Sequence, residues 1–129
     1  MSSLHNISLK ARKYLNSAFS QLHNIEEQYE PDDIRPTDSL LNNVEQLIYR
    51  FFEVVDLPLD ILATPEGKVI VSCSSQLDNM LYLECAPEGN VYCMIKIDGK
   101  RTRQSYPDIS KIPDSHIAKS AKYMVSSQE

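Results

Sequence analysis

The sequence predicts a single α+β domain with two N-terminal helices, an antiparallel β-meander of four to five strands and a short C-terminal helix. Apolar residues recur at steps of three and four over the first 55 residues, which is the period of an amphipathic helix. From Leu59 to Lys100, short runs of β-forming residues alternate with Pro-Glu-Gly, Gly-Asn and Asp-Gly turns. We therefore expect a helical part over 1–56, the meander over 57–106, and the C-terminal helix and tail over 107–129, with the helices packed on one sheet face.

The first helix is predicted from Ser8 to Tyr29. Its apolar face consists of Leu4, Ile7, Ala11, Leu15, Ala18, Leu22, Ile25 and Tyr29. This spacing also fits a coiled-coil seam, which leaves a homodimer open as an alternative. Three heptads are marginal for an independent coiled coil, so packing within the chain is the favoured interpretation.

The second helix is predicted from Ser39 to Val55, after a loop over Glu30–Thr37 that contains two prolines and two aspartates. Thr37 or Asp38 can cap it by accepting a hydrogen bond from an unpaired backbone N–H of the first turn. Its apolar stripe consists of Leu40, Leu41, Val44, Leu47, Ile48, Phe51, Phe52 and Val55. The stripe is wider than a surface helix needs, so we expect this helix to lie across the sheet.

The predicted strands cover 60–64, 68–73, 80–86, 91–97 and 101–106. Alternation along them assigns an apolar face to Val69, Val71, Cys73, Leu81, Leu83, Cys85, Val91, Cys93, Ile95 and Ile97. The opposite face receives Ile70, Ser72, Met80, Tyr82, Glu84, Tyr92, Met94 and Lys96. We expect the first face to pack on the second helix. The second face mixes tyrosine, methionine and charge, which is typical of a partner-binding surface. A final helix is predicted from His116 to about Val125.

Composition places the chain among globular proteins. It has 129 residues, 42% hydrophobic and 24% charged, with a net charge of −5 and a pI near 5.2. The first 15 residues lack the apolar run of a signal peptide, and no stretch is long enough to span a membrane. Three cysteines, an odd number, without an export signal predict reduced thiols in the cytoplasm.

Charge is unevenly distributed, which offers two candidate binding surfaces. Seven acids and one base lie between positions 26 and 45, and the acids Glu30, Asp32 and Asp33 fall in the predicted loop. Seven bases and three acids lie between positions 96 and 122. The two regions either face each other or face water, or one of them docks an oppositely charged partner.

The basic hairpin is also a candidate for RNA binding, through Lys96, Lys100, Arg101 and Arg103. The chain is acidic overall, and we expect no aromatic side chains interleaved with these bases on one face. We therefore favour a protein as the partner over a nucleic acid.

No motif predicts catalysis, a metal site or a cofactor. The three cysteines fall on the predicted core face and lack Cys-x-x-Cys spacing. His5, His23 and His116 are isolated from one another, and each of the three glycines lies in a turn. Cys85 and Cys93 are predicted to lie opposite each other across a hairpin, which leaves a disulfide or redox role open.

A resemblance supports the architecture. The matching residues are Tyr29-Glu30-Pro31-Asp32-Asp33, Ser39 to Phe51, Leu57-Pro58, Ala63 to Val69, Leu81 to Glu84 and Val91-Tyr92. Over Gln28 to Ile97 the chain resembles a broad set of small uncharacterised bacterial proteins, which pair a helix, an acidic loop and a second helix with a proline-led meander. Those proteins often carry tryptophan, which this chain lacks. In composition and element order the chain is also similar to type III secretion chaperones. The resemblance implies a bacterial or phage setting and no transferable catalytic residue.

The leading hypothesis is a non-catalytic protein-binding module, such as an antitoxin, immunity or defence-accessory protein that occludes a partner's surface. The expected binding residues are Met80, Tyr82, Tyr92 and Met94, with the acidic loop residues Glu30, Asp32 and Asp33 as the rival surface. A dimeric secretion chaperone and an RNA-binding protein are the two alternatives.

Overall fold

The computed structural model describes residues 7–55, 57–74, 79–115 and 117, and it confirms the α+β fold class. Its elements are helices α1 (Leu9–His23) and α2 (Asp38–Val54) and strands β1 (Asp60–Ala63), β2 (Val69–Ser74), β3 (Met80–Cys85), β4 (Val91–Ile97) and β5 (Lys100–Tyr106), with 3-10 turns at Ile25–Gln28 and Ile109–Lys111. The predicted C-terminal helix over His116–Val125 lies, except for Ile117, outside the described residues, as do His5 and His116.

Helix α1 begins where the sequence predicts but ends earlier. The Ser8 hydroxyl caps it by accepting a hydrogen bond from the Ala11 N–H at 3.1 Å. The helix ends at His23, and a 3-10 turn over Ile25–Gln28 replaces the predicted last turns. The prediction of one continuous helix to Tyr29 is therefore wrong. The tighter turn buries Ile25 in the core and brings Gln28 to the edge of β1.

Helix α2 begins and ends within one residue of its predicted bounds. The Thr37 hydroxyl accepts a hydrogen bond from the Leu40 N–H at 3.1 Å, which confirms Thr37 as the cap. The two phenyl rings of Phe51 and Phe52 are fully buried and meet edge to face at 5.2 Å between centroids. Burying two such rings stabilises the fold by several kcal/mol, at about 1.5–3 kcal/mol for each side chain.

The five strands form one antiparallel sheet in the order β1-β2-β3-β4-β5. Each strand therefore pairs with its sequence neighbour, as a meander predicts. Asp98 and Gly99 both adopt positive φ, 52° and 81°, which is the type I′ geometry that suits a two-residue hairpin between β4 and β5. The buried Asn79 side chain accepts a hydrogen bond from the Asp98 N–H at 3.0 Å and holds this turn against the start of β3.

The core lies between the helices and one face of the sheet. It joins the apolar faces of α1 and α2 to the inner side chains of β1 to β4, among them all three cysteines. The predicted apolar face is confirmed as far as Cys93; Ile95 and Ile97, nearer the β4–β5 turn, are half-buried.

Arg50 on α2 ties the segment after β5 to the helices. Its guanidinium donates to the carbonyl oxygens of Ile109 at 2.7 Å and Ile112 at 2.5 Å, and it pairs with the Asp114 carboxylate at 2.6 Å.

No helix among the described residues is long and apolar enough to cross a membrane.

Candidate functional site

The predicted binding residues of the sheet, Met80, Tyr82, Tyr92 and Met94, lie together on the face that points away from the core. Paired residues of an antiparallel sheet share a face, so the register defines this surface, called here the outer face. It consists of Asp60, Leu62, Ile70, Ser72, Ser74, Met80, Tyr82, Glu84, Tyr92, Met94, Lys96, Arg101, Arg103 and Ser105. None of these side chains belongs to the hydrophobic core cluster.

Tyrosine and methionine occupy the centre of the outer face. Tyr82 and Tyr92 are diagonal neighbours on β3 and β4, with ring centroids 6.4 Å apart and planes at 74°. Met80 and Met94 are next to them, and all four side chains are half-buried. These residues stand on rigid strands, so the apolar centre of the surface is formed before any partner arrives.

Glu84 lies beside this centre and contacts two neighbouring side chains. Its carboxylate accepts a hydrogen bond from the Tyr82 hydroxyl at 3.4 Å and pairs with the Lys68 ammonium at 3.7 Å. Burial, and then the Glu84 charge, raise the pKa of Tyr82, so this phenol keeps its proton as a donor.

The β5 side of the outer face is basic. Lys96 on β4 is directly opposite Arg101, and Met94 is directly opposite Arg103. Three of the four predicted bases, Lys96, Arg101 and Arg103, therefore share a face with Tyr92, so the expectation that no aromatic side chain accompanies them is wrong. Lys100 is opposite Ile97 and points to the other side of the sheet.

The edge of β5 is open in the described part of the chain. In a two-residue hairpin the flanking residues Ile97 and Lys100 form a hydrogen-bonded pair, and such pairs then alternate with unbonded ones. The backbone N–H and C=O groups of Arg101, Arg103 and Ser105 therefore point away from β4. Residues 100–105 are all exposed.

The opposite edge, β1, is closed by two glutamine side chains. Gln21 accepts from the Ile61 N–H at 2.9 Å and donates to the Leu59 carbonyl at 3.0 Å. Gln28 accepts from the Ala63 N–H at 2.9 Å and donates to the Ile61 carbonyl at 3.4 Å. Each amide thus occupies the position of a neighbouring peptide group. The sequence reasoning missed this pair; their spacing of seven residues, two helical turns, was the available signal.

The acidic loop is a separate surface. Asp33 accepts a hydrogen bond from the Glu30 N–H at 3.0 Å, so its carboxylate helps to shape the loop. The Ile34 N–H donates to the Pro65 carbonyl at 2.8 Å, which anchors the loop to the β1–β2 turn. Glu30 and Asp32 remain exposed. Because β1 and β5 are the two edge strands, the acidic loop and the arginines of β5 lie at opposite edges of the sheet.

The cysteines are buried, as predicted, and their environment suppresses thiolate chemistry. Burial raises the pKa of Cys73 and Cys93 to about 11 and that of Cys85 to about 12. Cys85 pairs with Val91 and Cys93 pairs with Leu83, so the two cysteines are diagonal neighbours, and the prediction that they lie opposite each other is wrong. Within the described ranges, no group of three or more His, Cys, Asp or Glu side chains is arranged to hold a metal ion.

A scan against protein-family models and searches of curated proteins and of solved structures find no match to this chain. Its function is therefore inferred from the geometry of the outer face, the β5 edge and the acidic loop.

Proposed function

We propose that the protein is a non-catalytic protein-binding module that acts by covering a functional surface of its partner with the outer face. The observation that carries the proposal is the Tyr/Met centre of that face, which lies outside the core cluster while remaining half-buried on rigid strands. Tyrosine and methionine are enriched at protein interfaces. Tyrosine offers a large contact area at low entropic cost, and the flexible methionine side chain adapts its shape to a partner. Tyr82 and Tyr92 are the expected anchors.

Occlusion of this kind suits an antitoxin, immunity or defence-accessory protein of a bacterium or phage, because such a protein needs a shaped surface and no reactive group. We place its action in the cytoplasm, where three thiols stay reduced. The acidic loop is the rival surface, since Glu30 and Asp32 are exposed and carry charge that a basic partner would match.

Affinity purification from the native host, with the tag at either end, tests the proposal. A stoichiometric protein should be retained by the unaltered chain and lost from the Tyr82→Ser/Tyr92→Ser variant. The matched control is Glu30→Gln/Asp32→Asn, which changes the acidic loop and leaves the outer face intact. Thermal unfolding of each variant verifies that it is folded.

The outcomes separate the two surfaces. Loss of the partner only from the tyrosine variant supports the outer face, whereas loss only from the loop variant moves the site to the acidic loop. The proposal is wrong if neither tagged orientation retains a stoichiometric protein. A stable homodimer in light scattering would instead favour the secretion-chaperone alternative.

RNA binding is a second candidate, because the register places Lys96, Arg101 and Arg103 on the same face as Tyr82 and Tyr92. In proteins that bind single-stranded nucleic acid, aromatic rings beside basic side chains form the platforms on which nucleobases stack. The net charge of −5 opposes it. Salt-sensitive binding of single-stranded RNA that disappears in Arg101→Glu/Arg103→Glu would support this candidate; no binding even at low salt excludes it.

A further inference from the structure

We propose that the β5 edge captures an extended acidic segment of a partner protein, which adds to the sheet as a sixth strand. This inference rests on the proposed protein-binding function, and it names the mode of binding and the chemistry of the partner.

The first support is that the two edges of the sheet differ. At β1, four outward backbone groups are paired with the side chains of Gln21 and Gln28: the Leu59 C=O, the Ile61 N–H and C=O, and the Ala63 N–H. At β5, the outward groups of Arg101, Arg103 and Ser105 have no partner among the described residues. A row of alternating unpaired N–H and C=O groups is a template for another strand. Among the described residues, only the β5 edge therefore leaves a row of backbone groups open to strand addition.

The second support is charge. Arg101 and Arg103 are exposed, next to each other on the outer face, and neither forms an ion pair with a described residue. Lys96 is directly opposite Arg101. Side chains of an added strand would lie about 4.5–5.5 Å from their cross-strand neighbours, and opposite charges stabilise such pairs. Glutamate or aspartate at alternate positions of the incoming segment would therefore match the two arginines.

The other face of the added strand would be opposite Lys100, Thr102 and Gln104. These side chains are polar or β-branched, which favours threonine or valine at the intervening positions of the segment. The expected ligand therefore alternates an acidic residue with a β-branched one, in an extended conformation.

A second copy of the chain is a poor occupant. Antiparallel pairing of two β5 strands over all seven residues is centred on Arg103 and places the two Arg103 side chains opposite each other. This full-length register brings like charges together, which destabilises the pair. Single-stranded RNA matches the positive charge but offers no backbone to pair with the alternating N–H and C=O groups of the edge.

A synthetic peptide with four Glu-Val repeats is the probe, and its binding is measured by fluorescence anisotropy and amide hydrogen exchange on the full chain. We expect binding together with slowed exchange at the amides of Arg101, Arg103 and Ser105. A peptide of the same composition with its glutamates clustered should bind more weakly, because it cannot place a carboxylate at every second position. The same repeat N-methylated at alternate residues should also lose binding, since it keeps the charge but not the backbone donors.

The charge-reversed protein Arg101→Glu/Arg103→Glu gives the matched control. Both positions are exposed, so the variant should fold, and its thermal unfolding verifies this. It should bind the Glu-Val peptide about tenfold less tightly and gain affinity for a Lys-Val repeat peptide.

Four results would overturn the inference. Equal binding of the repeat, clustered and N-methylated peptides would mean charge attraction without strand addition. Tighter binding of oligo-uridine, without protection of the edge amides, would make the surface a nucleic-acid site. No binding of any peptide would mean that the arginines serve only to protect the edge from aggregation. If the native partner is still retained by the charge-reversed protein but lost with Tyr82→Ser/Tyr92→Ser, this inference fails and the proposed function stands.

Discussion

Replacing Gln21 with alanine should destabilise the protein and open the second edge of its sheet. The Gln21 side chain forms two hydrogen bonds with the backbone of β1, of 2.9 Å to the Ile61 N–H and 3.0 Å to the Leu59 carbonyl. A typical hydrogen bond contributes a net of about 0.5–1.5 kcal/mol. Gln21 is half-buried, so water only partly replaces the amide, and we expect the free energy of unfolding to fall by about 1–2 kcal/mol.

Chemical denaturation measures this loss, and thermal unfolding should show it as a decrease in Tm of about 4 °C for each kcal/mol. Amide exchange gives a local readout, because the Ile61 N–H should lose protection in the variant. Gln28→Ala is the matched control: it removes a similar pair of bonds, but from an exposed side chain that water can replace. Its effect should be roughly 0.5 kcal/mol or less.

Gln21→Glu refines the test, since glutamate has nearly the same shape. Its carboxylate still accepts from the Ile61 N–H but has no donor for the Leu59 carbonyl. We expect this variant to be less stable than the unaltered protein at pH 7 and to recover at low pH as the carboxyl group becomes protonated. The edge-closure interpretation is wrong if Gln21→Ala changes neither the stability nor the exchange of the Ile61 amide.

Three further substitutions or conditions test the structure. Gly67→Ala should lower the free energy of unfolding by roughly 1–3 kcal/mol, because Gly67 has φ +84° and a Cβ there would lie 2.9 Å from the Ile34 side chain. Gly89→Ala is the control: Gly89 has φ +101° but open space around it, so equilibrium denaturation should show a smaller loss. Arg50→Met should expose the segment after β5 to limited proteolysis before global unfolding, since it removes the charged hydrogen bonds that hold this segment; unchanged cleavage would contradict that role. Burial raises the pKa of Cys85 to about 12, so its contribution to stability is present below the pKa of about 8.5 of an unfolded thiol and decreases above it. Denaturation between about pH 9.5 and pH 11 should show the unaltered protein losing about 1.4 kcal/mol per pH unit more than Cys85→Val.

The sequence was sufficient to predict the elements that depend on local periodicity. The apolar stripe of α2 and the alternation in β2, β3 and β4 each repeat several times, so an error at one position does not change the assignment. The same alternation predicted which residues share each face of the sheet, and Tyr82 and Tyr92 were assigned correctly to the outer face.

The features that were mispredicted depend on contacts between distant residues. The helical spacing continues through Ile25, yet α1 ends at His23, and the turn that follows directs Gln28 to the β1 backbone. The cross-strand partners of Cys85 depend on the exact hairpin register, which composition does not fix. Arg101 and Arg103 were predicted in the last strand and its basic hairpin, but their position beside the tyrosines required the register of β5.

The last prediction concerns the like charges at the β5 edge: Arg101 should lower the stability of the fold while it strengthens the binding of an acidic partner. Arg101 is directly opposite Lys96, and like charges in that position destabilise a sheet. Arg101→Thr removes this repulsion and introduces a good β-former, so it should raise the free energy of unfolding by about 0.5 kcal/mol at low salt, and by less at 1 M salt.

Arg103→Thr is the control for this prediction, because Arg103 is opposite Met94 and its removal relieves no like-charge pair directly across the strands. Both variants should bind the Glu-Val repeat peptide more weakly, whereas only Arg101→Thr should gain stability that depends on salt. If the two variants gain the same stability at every salt concentration, β-propensity alone explains the effect, and the charge pair at this edge imposes no cost on the fold.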